Sequence, residues 1–438
     1  MPRISISSLF APALFVLLSA SCAAWSGDDT ERFVEGEAAL SSTSPPEGFA
    51  FASKYAGGKT YFVREGGAGV STDRSAPGDP TKTIASAPDG STIVFLAGKY
   101  RSVHVTRPKG TGALRLVSEA PTFDSVDWRG GTLNGARPAE EVAFFEGASL
   151  HLTGFSGLTV EGFRFSDAGE SLKLTDSKAV VSKCRFERSG NTGLLVNGGS
   201  YWAHDIYAFS EQERHAQDAE THPDKDIGHM HMDYGVRIHK TDELILSTSL
   251  FKGRFNHCVS SKDGNKKVTL RENHFEGSPL TDGGVAMPYN AVEAGQEGDQ
   301  PGIDKTSGSI TITGNVFALT PLSSLVTAKN SVDIVITKNR VVSGSGRFVY
   351  VGLDTGTKAI LGPLHPEHVR ISDNEITGGS WRIDVMGRGR KKDLVEISRN
   401  SGAEIVVKAR TMPADIRAQI EDASEIETID APVVKEPD

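Results

Sequence analysis

Arg237, His239, Lys262 and Glu293 occupy matching places in three short alternating runs: Val236-Arg237-Ile238-His239, Val259-Ser260-Ser261-Lys262 and Val292-Glu293-Ala294-Gly295. Successive side chains of a strand leave opposite faces, so with the valines in a core these four project outward. If the runs stack as neighbouring strands, side chains on adjacent runs start about 5 Å apart. A cation that near lowers a lysine pKa, and a lysine brought toward neutrality is a general base. The chemistry this suits is proton abstraction from a bound substrate. Leu194–Asn197, Val326–Lys329 and Val349–Gly352 continue the series, adding Lys329 and Tyr350 to the outer face as binding residues, with Arg254 and His257 at its margin. A one-residue slip would exchange the two faces.

Charge points the same way. Val236–Arg271 carries eight Lys and Arg against three Asp and Glu, in a chain of formal net charge −9. A local positive field on an acidic protein favours an anionic ligand, and the overall charge argues against general nucleic-acid binding. Seven of the twelve histidines fall between His204 and His257. His229 and His231 with Asp233 form a set able to hold a transition metal. Glu293, Glu297, Asp299 and Asp304 offer oxygen ligands for Ca2+. Solvated loops rich in such residues are commoner than metal sites.

These runs sit inside a repeat. LTVEGFRF (Leu158–Phe165), AVVSKCRF (Ala179–Phe186), ELILSTSLF (Glu243–Phe251), KVTLRENHF (Lys267–Phe275), SITITGNVF (Ser309–Phe317), DIVITKNRV (Asp333–Val341) and HVRISDNEI (His368–Ile376) share one plan: a strand, a short corner and an apolar anchor. So short a unit cannot bury its own apolar face, so the units stack as coils around a common core. The expectation is an all-β solenoid, one right-handed parallel β-helix with two long insertions. Asn273, Asn315, Asn339 and Asn374 stand two residues before the anchors. Inward asparagines need amide partners, which a neighbouring Asn or a corner carbonyl can supply.

Met1–Ala24 has Arg3, an apolar Leu9–Leu18 and small residues from Ser19, an export signal too short to span a bilayer. LLSASC (Leu17–Cys22) resembles a bacterial lipoprotein box, so the choice is a lipid anchor at Cys22 in the cell envelope or ordinary cleavage near Ala24 and secretion. Residues 25–58 read as a tether, 59–410 as the β-helix, and 411–438 as a capping helix with an acidic tail. Cys184 and Cys258 are expected to be free buried thiols, and the protein a monomer. The insertions, 210–234 and 277–308, are long enough to be functional.

The coil repeat, APDGSTIVFLAGKY (Ala87–Tyr100) and the export signal resemble the pectate-lyase-like parallel β-helix superfamily. CVSSKDGNKKVTLRENHF (Cys258–Phe275) resembles the polysaccharide lyase family that contains chondroitinase B and some alginate lyases. That resemblance implies β-elimination on a uronic-acid polysaccharide, with Lys262 as the base. The family has an arginine on the following coil, where this chain has Glu293 or Gly295, so Arg237 or His239 would act in its stead. A glycan-binding β-helix without catalysis, a glycoside hydrolase and a uronate epimerase are the competing readings.

Overall fold

The computed structural model describes residues 44–210, 232–262, 264–279, 285–286, 290–294, 307–321, 324–328, 331–353, 368–388, 394–411 and 425–426. Nearly every strand pairing among them is parallel and joins a strand to its counterpart one coil on, which is a parallel β-helix. Each coil contributes to three faces. The first runs through Thr192–Asn197, Tyr234–His239, His257–Lys262 and Asn290–Ala294. The second runs through Glu243–Ser247, Lys267–Arg271 and Ser307–Thr313. The third is a ten-stranded sheet that includes Arg185–Glu187, Leu250–Gly253 and His274–Glu276.

The anchors form the core of the third face. Phe145, Phe165 and Phe186 stack with centroids 5.2 and 5.3 Å apart, and Phe251, Phe275 and Phe317 repeat the arrangement at 5.2 and 5.1 Å. Ala208 joins the two stacks in register. All six rings are buried, and their spacing is the strand spacing itself, so offset ring stacking comes without distortion.

Between the second and third faces the chain turns on one residue in left-handed conformation: Lys183, Asp205, Thr248, Glu272, Lys338, Asp373 and Arg399 all have φ between 49° and 57°. The next residue points inward, and from Asn273 on it is asparagine. Nδ2 of Asn273, Asn315, Asn339 and Asn374 donates to Oδ1 of the next coil's asparagine at 3.0, 3.0, 2.9 and 2.8 Å, the last acceptor being Asn400. The same Oδ1 atoms accept backbone N–H groups of the preceding coil. The expected asparagine ladder is therefore a chain of mutually satisfied amides, one member longer than the anchors reveal.

Three N-terminal features go beyond the repeat. Pro80–Ser86 is a short helix with Asp79 as N-cap, accepting from Lys82 N at 2.8 Å. Arg107 closes its other end, donating to Ile84 O and Ala87 O. Residues 49–58, assigned to the tether from sequence, include a helical turn, Ala52–Tyr55, whose flank packs on the second face: Phe49 and Phe51 are buried with Val180 and Trp202. A hairpin, Ser125–Asp127 and Thr132–Asn134, accompanies a small cluster of Phe123, Val126, Tyr207 and Leu250 on the third face. The proposed capping helix at 412–423 and the export signal lie outside the described residues. Among the described residues no helix is long and apolar enough to cross a membrane.

Candidate functional site

The first face carries the proposed chemistry. Its pairing aligns Leu194, Val236, Val259, Val292, Val326 and Val349 as one inward column, and every one of them is fully buried. Leu195, Arg237, Ser260, Glu293, Thr327 and Tyr350 make the next column, and Asn197, His239 and Lys262 the one beyond it. No slip has occurred. Arg237 and His239 share the strand Tyr234–His239, the backbone of Lys262 is paired with that of His239, and Glu293 is paired with Ser260. For Lys262 and Glu293 the placement is one of register.

A third outward column was not foreseen: Thr192, Tyr234, His257, Ser324 and Arg347, with the backbone of Asn290 paired in the same register. It places Tyr234 beside Arg237 and Arg347 beside Tyr350. The Arg237 guanidinium lies 4.8 Å from the Tyr234 ring centroid, and that of Arg347 lies 4.9 Å from the Tyr350 ring. A guanidinium stacked on a phenol ring is held in a plane with its N–H edge turned to a carboxylate, which for Arg347 is Asp384 at 2.7 Å. No sequence signal marked Tyr234: strict alternation from Val236 would send it inward, and the strand's start lay inside the presumed insertion.

Not every residue of these columns reaches solvent. Ser260 and Thr327 leave the strand on the side away from the core, yet they are 0% and 5% exposed, and His257 is 6% exposed. Arg237, His239, Tyr234 and Tyr350 keep partial exposure. The face is thus shielded along its middle, where Coulomb interactions are stronger than in bulk water.

The local charge excess is also distributed differently from expectation. Lys266 and Lys267 stand on the second face, paired with Asp242 and Glu243 at 2.7 and 2.8 Å, and Lys252 on the third face pairs with Glu276 at 3.1 Å. Arg254 follows the third-face strand Leu250–Gly253, at the approach to His257. Of the eight cations in Val236–Arg271, Arg237 and Lys262 belong to first-face strands. The site rests on those two and His239, not on a diffuse positive field.

Lys329, His229, His231, Glu297, Asp299 and Asp304 lie outside the described residues. Asp233 is described just ahead of Tyr234, and its carbonyl accepts the His257 N–H at 2.9 Å. Among the described residues no group of three or more His, Cys, Asp or Glu could hold a metal ion. Cys184 and Cys258 are free and buried. Burial pushes the Cys184 thiol up to about 12 and the Cys258 thiol well above its usual range, so both are packing residues rather than nucleophiles.

No protein family and no curated protein matches the sequence. Among solved structures, a pectate lyase, Pel9A, aligns over 81% of this chain and 81% of its own, at 14% identity and a TM-score of 0.38. A DFA-IIIase from Arthrobacter chlorophenolicus A6, in complex with GF2, aligns over 77% of this chain and 80% of its own, at 11% identity and a TM-score of 0.23. The parallel β-helix stands on the strand pairing described above, independently of these likenesses.

Proposed function

We propose that this chain is an exported β-helix that binds a uronic-acid polysaccharide and cleaves it by β-elimination. Lys262 takes the proton from the ring carbon bearing the carboxylate, and the electron pair left behind forms the new carbon–carbon double bond as the glycosidic bond on the neighbouring carbon breaks. His239 gives its proton to the departing oxygen, and Arg237, stacked on Tyr234, neutralises the carboxylate and the enolate that develops from it. The pairing of His239 with Lys262 across adjacent strands carries this reading, since base and acid must reach neighbouring atoms of one substrate. Tyr350, His257 and Glu293 are assigned to substrate binding, and Met1–Ala24 to export.

The test is absorbance from unsaturated chain ends when purified protein meets a panel of polyuronates. Wild type should produce it, and Lys262→Ala should reduce the rate by about 10³-fold or more. Activity surviving that substitution would discard the assignment. Glu293, at the coil where the resembling family has arginine, favours a second reading, a glycan binder without catalysis. Binding by wild type with no bond cleavage would decide for it.

A further inference from the structure

The outward columns of the first face do not begin at Arg237. Followed toward the N-terminus, the Arg237 column continues through Leu195, Lys173, His151 and His104, each paired with the next across adjacent strands. The His239 column continues alongside it through Asn197, Thr175, Thr153 and Thr106. One column thus presents ionisable nitrogen on four of five coils, interrupted by the buried Leu195, and the other presents a hydroxyl, amide or imidazole on every coil. Apart from Leu195, these side chains are partly or fully exposed. They repeat at the strand spacing of about 4.8 Å.

The two histidines are packed as a pair. Their rings lie parallel at 5° with centroids 4.4 Å apart. His104 Nε2 is 3.1 Å from Ser149 Oγ, while His151 Nε2 is shielded and has no hydrogen-bond partner. The groups facing them are Ser149 and, on the following strand, Glu170 and Lys173, which pair with each other at 2.9 Å. Burial, with His104 and Lys173 nearby, pulls the His151 pKa below the usual imidazole value, against smaller opposing contributions from Glu170. Burial thus disfavours charge on His151, and two positive imidazoles in face contact would repel until a counter-charge arrives.

We infer that the outer face of the N-terminal coils, along His104, His151, Lys173 and Arg237, is a binding strip for a linear acidic glycan whose affinity rises as pH falls. The occupant follows from the pattern: a line of cationic and protonatable nitrogens beside a line of hydrogen-bonding groups matches a chain with one charge and several hydroxyls per unit. The sign follows from linkage. A polyanion stabilises the protonated imidazoles, so binding takes up protons and tightens as pH falls. The inference rests on the proposed substrate class but not on catalysis, and it makes the strip an extension of the site toward the N-terminus.

Calorimetry with polygalacturonate oligomers, and dextran as the neutral control, tests it on Lys262→Ala protein, in which turnover cannot intrude. Binding should tighten by about tenfold from about pH 7.5 to about pH 5. His104→Gln with His151→Gln should abolish that gain, and Lys173→Gln should weaken binding at both pH values. Should the double variant not fold, His104→Gln alone, on the exposed member of the pair, must still reduce the gain. Affinity independent of pH, the full gain persisting in the histidine variants, or equal binding of dextran would overturn the strip. Failure of the elimination assay leaves these outcomes untouched, and loss of the strip leaves the elimination assay untouched, so the two claims fall separately.

Discussion

The same corner is built in two ways along one solenoid. In the N-terminal coils the inward residue after the left-handed turn is Phe163, Cys184 and then Ile206. From Asn273 to Asn400 it is asparagine, with Ser249 as the step between, donating from its own N–H to Asn273 Oδ1 at 3.1 Å. Phe163 meets Phe95 edge-to-face at 5.0 Å and so joins the packed end of the core. The asparagines instead tie each coil to the next by directed bonds. An apolar corner tolerates many residues of similar volume, whereas an amide ladder requires every member, since a missing partner strands buried donors and acceptors above and below it.

That difference sets an order of effects. Phe275→Ala should be the most damaging, about 4 kcal/mol, because it leaves a cavity in the middle of a three-ring stack; denaturant unfolding followed by tryptophan fluorescence measures it. Asn315→Leu should cost about 3 kcal/mol although it keeps the volume, since it removes the acceptor for Asn273 Nδ2 and for the Asn273 backbone N–H. Cys184→Ala, at the equivalent apolar corner, should cost about 1 kcal/mol. A Cys184 variant as damaging as the Asn315 one would erase the distinction between the two halves.

Smaller effects refine it. His274 is buried on the third face, where Nδ1 donates to Trp128 O at 2.8 Å. Burial lowers its pKa, opposed by that backbone bond and by Glu276, with Lys252 and Asp127 also facing it. A lowered histidine contributes fully above its unfolded value of about 6.5, and that contribution is lost as pH falls below it. Protection of the hairpin at 125–134 against hydrogen exchange, relative to the intrinsic rate at each pH, should therefore fall in mild acid while the asparagine corners stay protected. Lys267→Ala, which removes an exposed pair with Glu243, should change stability by less than about 1 kcal/mol.

The contrast also explains what could be read in advance. Asparagine at a fixed offset from an apolar anchor is rare enough to mark the coils, so Asn273, Asn315, Asn339 and Asn374 disclosed the repeat. Phe163, Cys184 and Ile206 share no residue type, and their equivalence emerges from the structure. The strand phase of Val236–His239 and Val259–Lys262 was legible because alternation is local. The burial of Ser260 and Thr327 was not, because alternation tells which side a side chain leaves and not what lies beyond it. Asp79-Pro80 was a readable helix start, an N-cap residue followed by proline at the first helical position. It stood outside the repeat that organised the reading.

The central functional claim is that one lysine removes the proton beside the carboxylate while its neighbours act on charge and leaving group. Proton exchange at that ring carbon, followed by NMR in heavy water with an acidic oligosaccharide, reports this step apart from bond cleavage. The account predicts that Lys262→Ala loses exchange and cleavage together, whereas His239→Gln slows cleavage and leaves exchange detectable. Exchange at the wild-type rate in Lys262→Ala would contradict it.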